Sequence, residues 1–252
     1  MPIPRGLAPC FPLRKAEKPG TDEGACAGQT AVPAGVEVGG AAYYGPMYPG
    51  ERLNTFTHLA GSALSIAGLS ILVTLAAVQG DPWKVVSFSI YGATLVLLYC
   101  FSTIYHGVQS PRAKAFLQKL DHNAIYLLIA GSYTPIALVT LRGPWGWTLL
   151  GLVWGLALIG IVQELLLGHR TRRLSMVLYV LMGWLVVIAI RPLMQALPTA
   201  ALAWLVAGGV VYSLGIYFYL NDRRVRHFHG IWHLFVLSGS FCHFMCMVLY
   251  VA

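Results

Sequence analysis

From about residue 55 onward, apolar residues run in long blocks separated by short polar stretches, without period-2 alternation. At ~1.5 Å per residue, a helical block of about 20 residues crosses a hydrocarbon core ~30 Å thick. Seven such spans are predicted, at 55–78, 85–105, 124–141, 145–167, 174–194, 200–220 and 229–252. A transmembrane β-strand would instead alternate over about 10 residues, which LVWGLALIGIVQELLL does not. The breaks QGDP, QSP, LRGP and QALP carry the Gly and Pro of helix ends. Arg191 and Pro192 fall near the end of the fifth span, where a kink and an arginine reaching to the membrane surface are expected.

Composition narrows the class to an all-α membrane protein, a seven-transmembrane helix bundle. Hydrophobic residues make up 57% of the 252 positions and charged residues 10%, against about one-quarter charged in soluble domains. With seven spans, fourteen of the seventeen Lys and Arg residues fall on one side of the membrane. They include Arg52, Arg112, Lys114, Lys119, Arg172, Arg173, Arg223, Arg224 and Arg226, whereas Lys84, Arg142 and Arg191 fall opposite. The positive-inside rule then predicts a cytoplasmic N-terminus and a C-terminus outside. The net charge of +8 follows from that topology and from anionic lipid headgroups, not from nucleic acid. Residues 1–49, rich in Gly, Pro and Ala, are expected to form a disordered cytoplasmic tail ahead of a transmembrane domain at 50–252. No apolar run follows the first basic residues, so no secretory signal is expected, and LAPC at Cys10 is a chance match to a lipoprotein site. Cys100, Cys242 and Cys246 lie in spans as small packing residues.

The same topology gathers polar residues at one depth, because the first, third and seventh spans begin, and the second ends, on the basic side. Glu51, Asn54, His58, Ser102, His106, Asp121, His229 and His233 should therefore be neighbours. His229 and His233 are four apart, one turn along one helix face, and Ser102 and His106 share that spacing. A histidine pair so spaced also arises from packing or capping. A third histidine and a carboxylate at the same depth favour a metal. Zinc in catalytic sites commonly takes three protein ligands and leaves one position open, which fits His106, His229 and His233. Asp121 is then a candidate base or ligand-orienting group, and Ser102 a candidate for orienting water or stabilising an oxyanion. Glu51, Asn54 and His58 are candidates for supporting the ligands, although Asn54 could equally cap the first helix and Glu51 pair with a basic residue. His122, His169 and His227 adjoin basic loops and should face solvent or headgroups, while His243, ten residues beyond His233, should be a hydrogen-bonded structural residue. Trp83, Trp145, Trp147 and Tyr250 suit an outer interfacial belt.

The segments ERLNTFTH, FSTIYH, LDHNAIYLLIAGSYTP and HFHGIWHLFVLSGSFCHF resemble the signature segments of the hemolysin III family, bacterial relatives of the progestin and adipoQ receptors, from about residue 50 to the C-terminus. The resemblance implies seven helices with a cytoplasmic N-terminus in a bacterial inner membrane. It also implies that His106, His229 and His233 bind Zn2+ and that Asp121 touches its water. Ser102 matches a serine preceding the ligand histidine in this family and in the related alkaline ceramidases. A ceramidase-like hydrolase of lipid amide or ester bonds, with membrane lipids as its partners, is the expected function. A receptor-like regulator with structural zinc is the alternative, followed by a pore-forming cytolysin.

Overall fold

The computed structural model describes residues 50–167 and 172–252, together with the backbone of Glu37–Val38 and Ala41–Ala42. Those two dipeptides pair as short antiparallel strands β1 and β2. The expectations for the rest of the 1–49 tail, and for His169, lie outside the described residues. Among the described residues, seven helices are long and apolar enough to cross a membrane: α1 (Glu51–Gln79), α2 (Pro82–Gly107), α3 (Pro111–Pro135), α4 (Pro144–Leu167), a broken span built of α5 (Arg172–Gly183) and α6 (Ile190–Ala196), α7 (Thr199–Asn221) and α8 (Phe228–Cys246). Large apolar side chains such as Leu64, Val78, Leu166, Leu214 and Leu249 stand on the outer surface, where lipid covers them.

Short punctuation turns the chain. α1 ends on Gly80, whose φ of 70° suits a residue without Cβ, and Asp81 then accepts from the backbone N–H groups of Trp83 at 2.9 Å and Lys84 at 3.3 Å. Pro82 follows at the first helical position, where its missing N–H costs nothing. The fifth span is interrupted close to the expected kink: a 3-10 stretch at Leu185–Ala189 separates α5 from α6, and Pro192 in the first turn of α6 cannot donate to the preceding turn. Arg191 is exposed there. α3 differs from expectation, starting at Pro111 instead of near residue 124. Its first three turns, PRAKAFLQKLDHN, are too polar to register as membrane-length, yet Pro111 and the spacing of Leu117, Leu120 and Asp121 on inward positions continue the helix beyond the apolar core.

α1 packs along α2, α2 along α3 and α7 along α8, and α8 closes back against α1. Gly230 permits that closure beside the histidines. A Cβ at this position would lie 2.5 Å from Leu53 Cδ2 and 3.0 Å from Asn54 Oδ1. The start of α8 is thereby held against the start of α1, which determines what the α8 histidines touch. At the other end, Trp83 meets Trp147 edge-on at 6.2 Å and Arg142 lies over the Trp83 ring at 4.2 Å.

Candidate metal centre

His106 closes α2, and His229 and His233 open α8, so helix ends distant in sequence deliver three imidazoles to one place. The ring centroids form a nearly equilateral triangle: 5.1 Å for His106–His229, 4.9 Å for His106–His233 and 4.9 Å for His229–His233. One potential ligand atom from each lies within 4.8 Å of the others.

Each ring is fastened through Nδ1. His106 Nδ1 contacts Glu51 Oε2, His229 Nδ1 meets Asp222 Oδ2 at 2.8 Å, and His233 Nδ1 donates to the Asn54 carbonyl at 3.2 Å. A carbonyl or carboxylate only accepts, so these contacts place the hydrogen on Nδ1 and leave a lone pair on Nε2. All three Nε2 atoms are buried and have no partner among the described residues. An orphaned buried polar atom costs about 1–3 kcal/mol, and three such acceptors on neighbouring rings have an evident use. A metal-binding histidine commonly gives its other N–H to a carboxylate or a backbone carbonyl. The residues present therefore fit a three-imidazole ion site, a donor set that suits zinc.

The fastening groups are themselves held. Asn54 Nδ2 donates to Glu51 Oε2 at 2.9 Å, and Lys114 Nζ lies 3.2 Å from Glu51 Oε1. Gly50 precedes α1 without any side-chain cap, so Asn54 serves Glu51 and His233 instead of the helix start. Arg172 Nη2 reaches both Asp222 oxygens at 3.0 Å, and its guanidinium lies 3.9 Å from the Tyr219 ring centre. Burial pushes the Asp222 carboxyl up, but hydrogen bonds from His229 and Arg172 outweigh it and hold the group below the ordinary carboxylate range. Asp222→Asn and Glu51→Gln should each weaken zinc binding by about 10–100-fold in chelator competition. Asp81→Asn, at the opposite end of α2, is the control and should leave the affinity unchanged.

The remaining candidates divide. Ser102 is buried one turn before His106, with Oγ lacking a partner among the described residues. Asp121 is buried, accepts no hydrogen bond from the described residues, and borders the same polar cavity as His106 and His229. His58 touches the centre differently from Glu51 and Asn54. It makes no hydrogen bond to a ligand imidazole but stacks on His233 at 3.6 Å, with both of its nitrogens buried and unpartnered. His227 is exposed as expected, and His243 packs edge-on to Tyr212 at 5.4 Å.

The polar cavity, about 390 Å³, is bordered by Glu51, Asp121, Asp222 and Arg226 among others. A second, apolar cavity of about 140 Å³ runs between α3, α5, α7 and α8 past Leu128, Val180 and Ile216. Asp121, Tyr179, Tyr219 and Trp232 border both.

The Haemolysin-III related family matches residues 47–244. The chain belongs to that family. Among its haemolysin-III relatives, Hemolysin-3 of Bacillus cereus is 45% identical over 201 residues, which is 80% of this chain and 91% of the relative. The Hemolysin-3 homolog of Bacillus subtilis strain 168 is 44% identical over 200 residues, 79% and 93% of the two chains. More distantly, the human Monocyte to macrophage differentiation factor is 27% identical over 215 residues, 82% and 87% of the two chains. The span count and these relatives make the chain a multi-pass membrane protein.

Sequence reasoning about this haemolysin-III chain missed Asp222, although it is the sole acidic residue of the basic turn before α8. It also missed Glu164, and it sent His122 to the surface. His122 is instead half-buried against Glu164, its Nδ1 3.0 Å from Oε1, while Ser175 Oγ donates to Oε2 at 2.9 Å. A carboxylate inside a membrane span was the available signal.

Proposed function

We propose that this protein is a zinc-dependent hydrolase of lipid amide or ester bonds, working at the cytoplasmic end of the bundle in a bacterial inner membrane. The observation that carries the reading is the set of three buried, unpartnered Nε2 atoms beside an unengaged carboxylate. His106, His229 and His233 would hold the ion, which supplies Lewis acidity toward a carbonyl and toward water. Asp121 accepts the proton that water loses on attacking the carbonyl and returns it to the departing amine or alkoxide. Water thus adds across the C–N or C–O bond, yielding a carboxylic acid with an amine or an alcohol. The Ser102 hydroxyl donates toward the oxygen on which charge develops.

The paired cavities support a lipid as substrate. A polar chamber next to the histidines and an apolar one sharing Asp121, Tyr179, Tyr219 and Trp232 suit the two ends of an amphiphile. The apolar chamber lies against α5 and α7, which are sparsely packed on each other; an exposed bond at 3.1 Å joins Trp184 Nε1, just past the end of α5, to Ser213 Oγ of α7. A tail can enter sideways there. The cytoplasmic placement rests on the basic residues clustered at the histidine end.

Asp121→Asn should keep its zinc and lose about 10²–10⁴-fold in turnover when detergent-purified protein is offered a panel of lipid amides and esters. A panel left intact by wild type, with His233→Ala no different, removes the hydrolase reading. A regulator with structural zinc is then favoured, because the centre ties together the ends of α1, α2 and α8, and Asp222 beyond α7. Dye leakage from liposomes tests the cytolysin that the names of the Bacillus relatives suggest. Leakage unaffected by loss of all three histidines would restore it.

A further inference from the structure

The polar cavity holds charge that the proposed hydrolysis does not use. Four carboxylates border it, and three are committed: Glu51 to His106, Asn54 and Lys114, Glu164 to His122 and Ser175, Asp222 to His229 and Arg172. Arg223 and Arg226, from the turn joining α7 to α8, border the same cavity and have no ion pair or hydrogen bond among the described residues. Two exposed guanidinium groups therefore stand unpaired on the rim of the cavity that His229 also borders, while three of its four carboxylates are turned toward imidazoles, Lys114 and Arg172.

The turn that carries them is built rather than loose. Arg224 and Val225 N–H groups donate to the Asn221 carbonyl at 3.0 and 3.2 Å, and Phe228 N–H donates to the Val225 carbonyl at 3.3 Å. Arg172 grips Asp222 at its start, and at its end His227 adopts φ 69°, the sole positive φ of a non-glycine among the described residues. A histidine in that conformation is strained, and such strain persists where the surroundings impose it, often beside a ligand site. Guanidinium groups match phosphate oxygens in a planar, two-pronged geometry that ammonium groups lack.

We propose that Arg223 and Arg226 form a phosphate subsite, and that the amphiphile held by this protein is a lipid with a phosphate-bearing headgroup. The phosphate lies in the polar cavity between the arginine turn and His229. The acyl portion passes Asp121, Tyr179, Tyr219 and Trp232 into the apolar cavity. The inference rests on the lipid reading of the two cavities, but it concerns binding and does not require turnover. Positive residues also collect at this end for topological reasons. Arg112 and Arg173 belong to that general population and do not border the cavity, which makes them matched controls.

The experiment uses full-length protein in an uncharged maltoside detergent, with ligand-induced thermal stabilisation titrated for three probes: dihexanoyl phosphatidic acid, dihexanoylglycerol and inorganic phosphate. Zinc content is measured on every preparation. Phosphatidic acid should bind most tightly. Arg223→Gln/Arg226→Gln should weaken it about tenfold, leave dihexanoylglycerol unchanged, and retain wild-type zinc. Arg112→Gln/Arg173→Gln should behave as wild type. Equal weakening by both arginine pairs would reduce the effect to surface potential and overturn the subsite. Phosphatidic acid binding no better than dihexanoylglycerol would overturn the phosphate, and binding no better than inorganic phosphate would overturn the lipid. Loss of hydrolysis in an otherwise binding-competent protein would count against the enzyme alone, so the two readings fail separately.

Discussion

Detergent-purified wild-type protein is expected to carry about one equivalent of zinc, and His229→Ala/His233→Ala none, by elemental analysis. The size of the effect follows from how the site is assembled. Both α8 ligands disappear, and His106 alone cannot compete with water and chelators for the ion. The variant should still fold, since each alanine removes a ring whose Nε2 has no protein partner and whose Nδ1 contact involves Asp222 or the Asn54 carbonyl, groups that water can reach or that α1 partly holds. Wild-type protein that takes up no metal when offered zinc would leave a cluster of orphaned imidazoles and remove the hydrolase with it.

Glu164→Ala should destabilise the fold by about 3–5 kcal/mol, the usual cost of removing one member of a buried pair, in denaturant unfolding of the detergent-solubilised protein. Glu164 is 3% exposed and joins three helices: His122 on α3 and Ser175 on α5 both meet its α4 carboxylate. Tyr179 on α5 adds a 3.0 Å bond from its hydroxyl to the His122 carbonyl. Glu164→Gln, which still accepts a hydrogen bond, should lose less, and pairing Glu164→Ala with His122→Ala should cost less than the two losses added. None of these variants changes His106, His229 or His233, so metal content should hold while stability falls. A loss below about 1 kcal/mol, as for exposed pairs, would mean that water in the adjoining cavity replaces the carboxylate.

The legible and illegible parts of this chain separate along physical lines. Spans were legible because hydrocarbon demands long uninterrupted apolar runs. The histidine set was legible because alternating spans return to the same surface at known positions. α3 was misjudged at its start, since a helix protruding from the bilayer needs no apolar run. The partners of the ligands were harder: which carboxylate meets which imidazole depends on helix rotation and on close approaches such as Gly230 against Leu53 and Asn54. His122 and Glu164 lie 42 residues apart and meet through α3–α4 packing, which no local pattern encodes. His58 shows the same limit: its common depth with His233 was foreseeable, whereas its stacking on that ring was not.

The closure of α8 on α1 also bears on biogenesis. Glu51, Asn54 and His106 belong to α1 and α2, and His229 and His233 to α8, which is synthesised after four intervening spans. The imidazole triangle cannot exist in a nascent chain that stops before α8. Metal uptake would therefore wait until α8 has been inserted, and chains truncated before α8 would be left open at the bundle end where that helix docks.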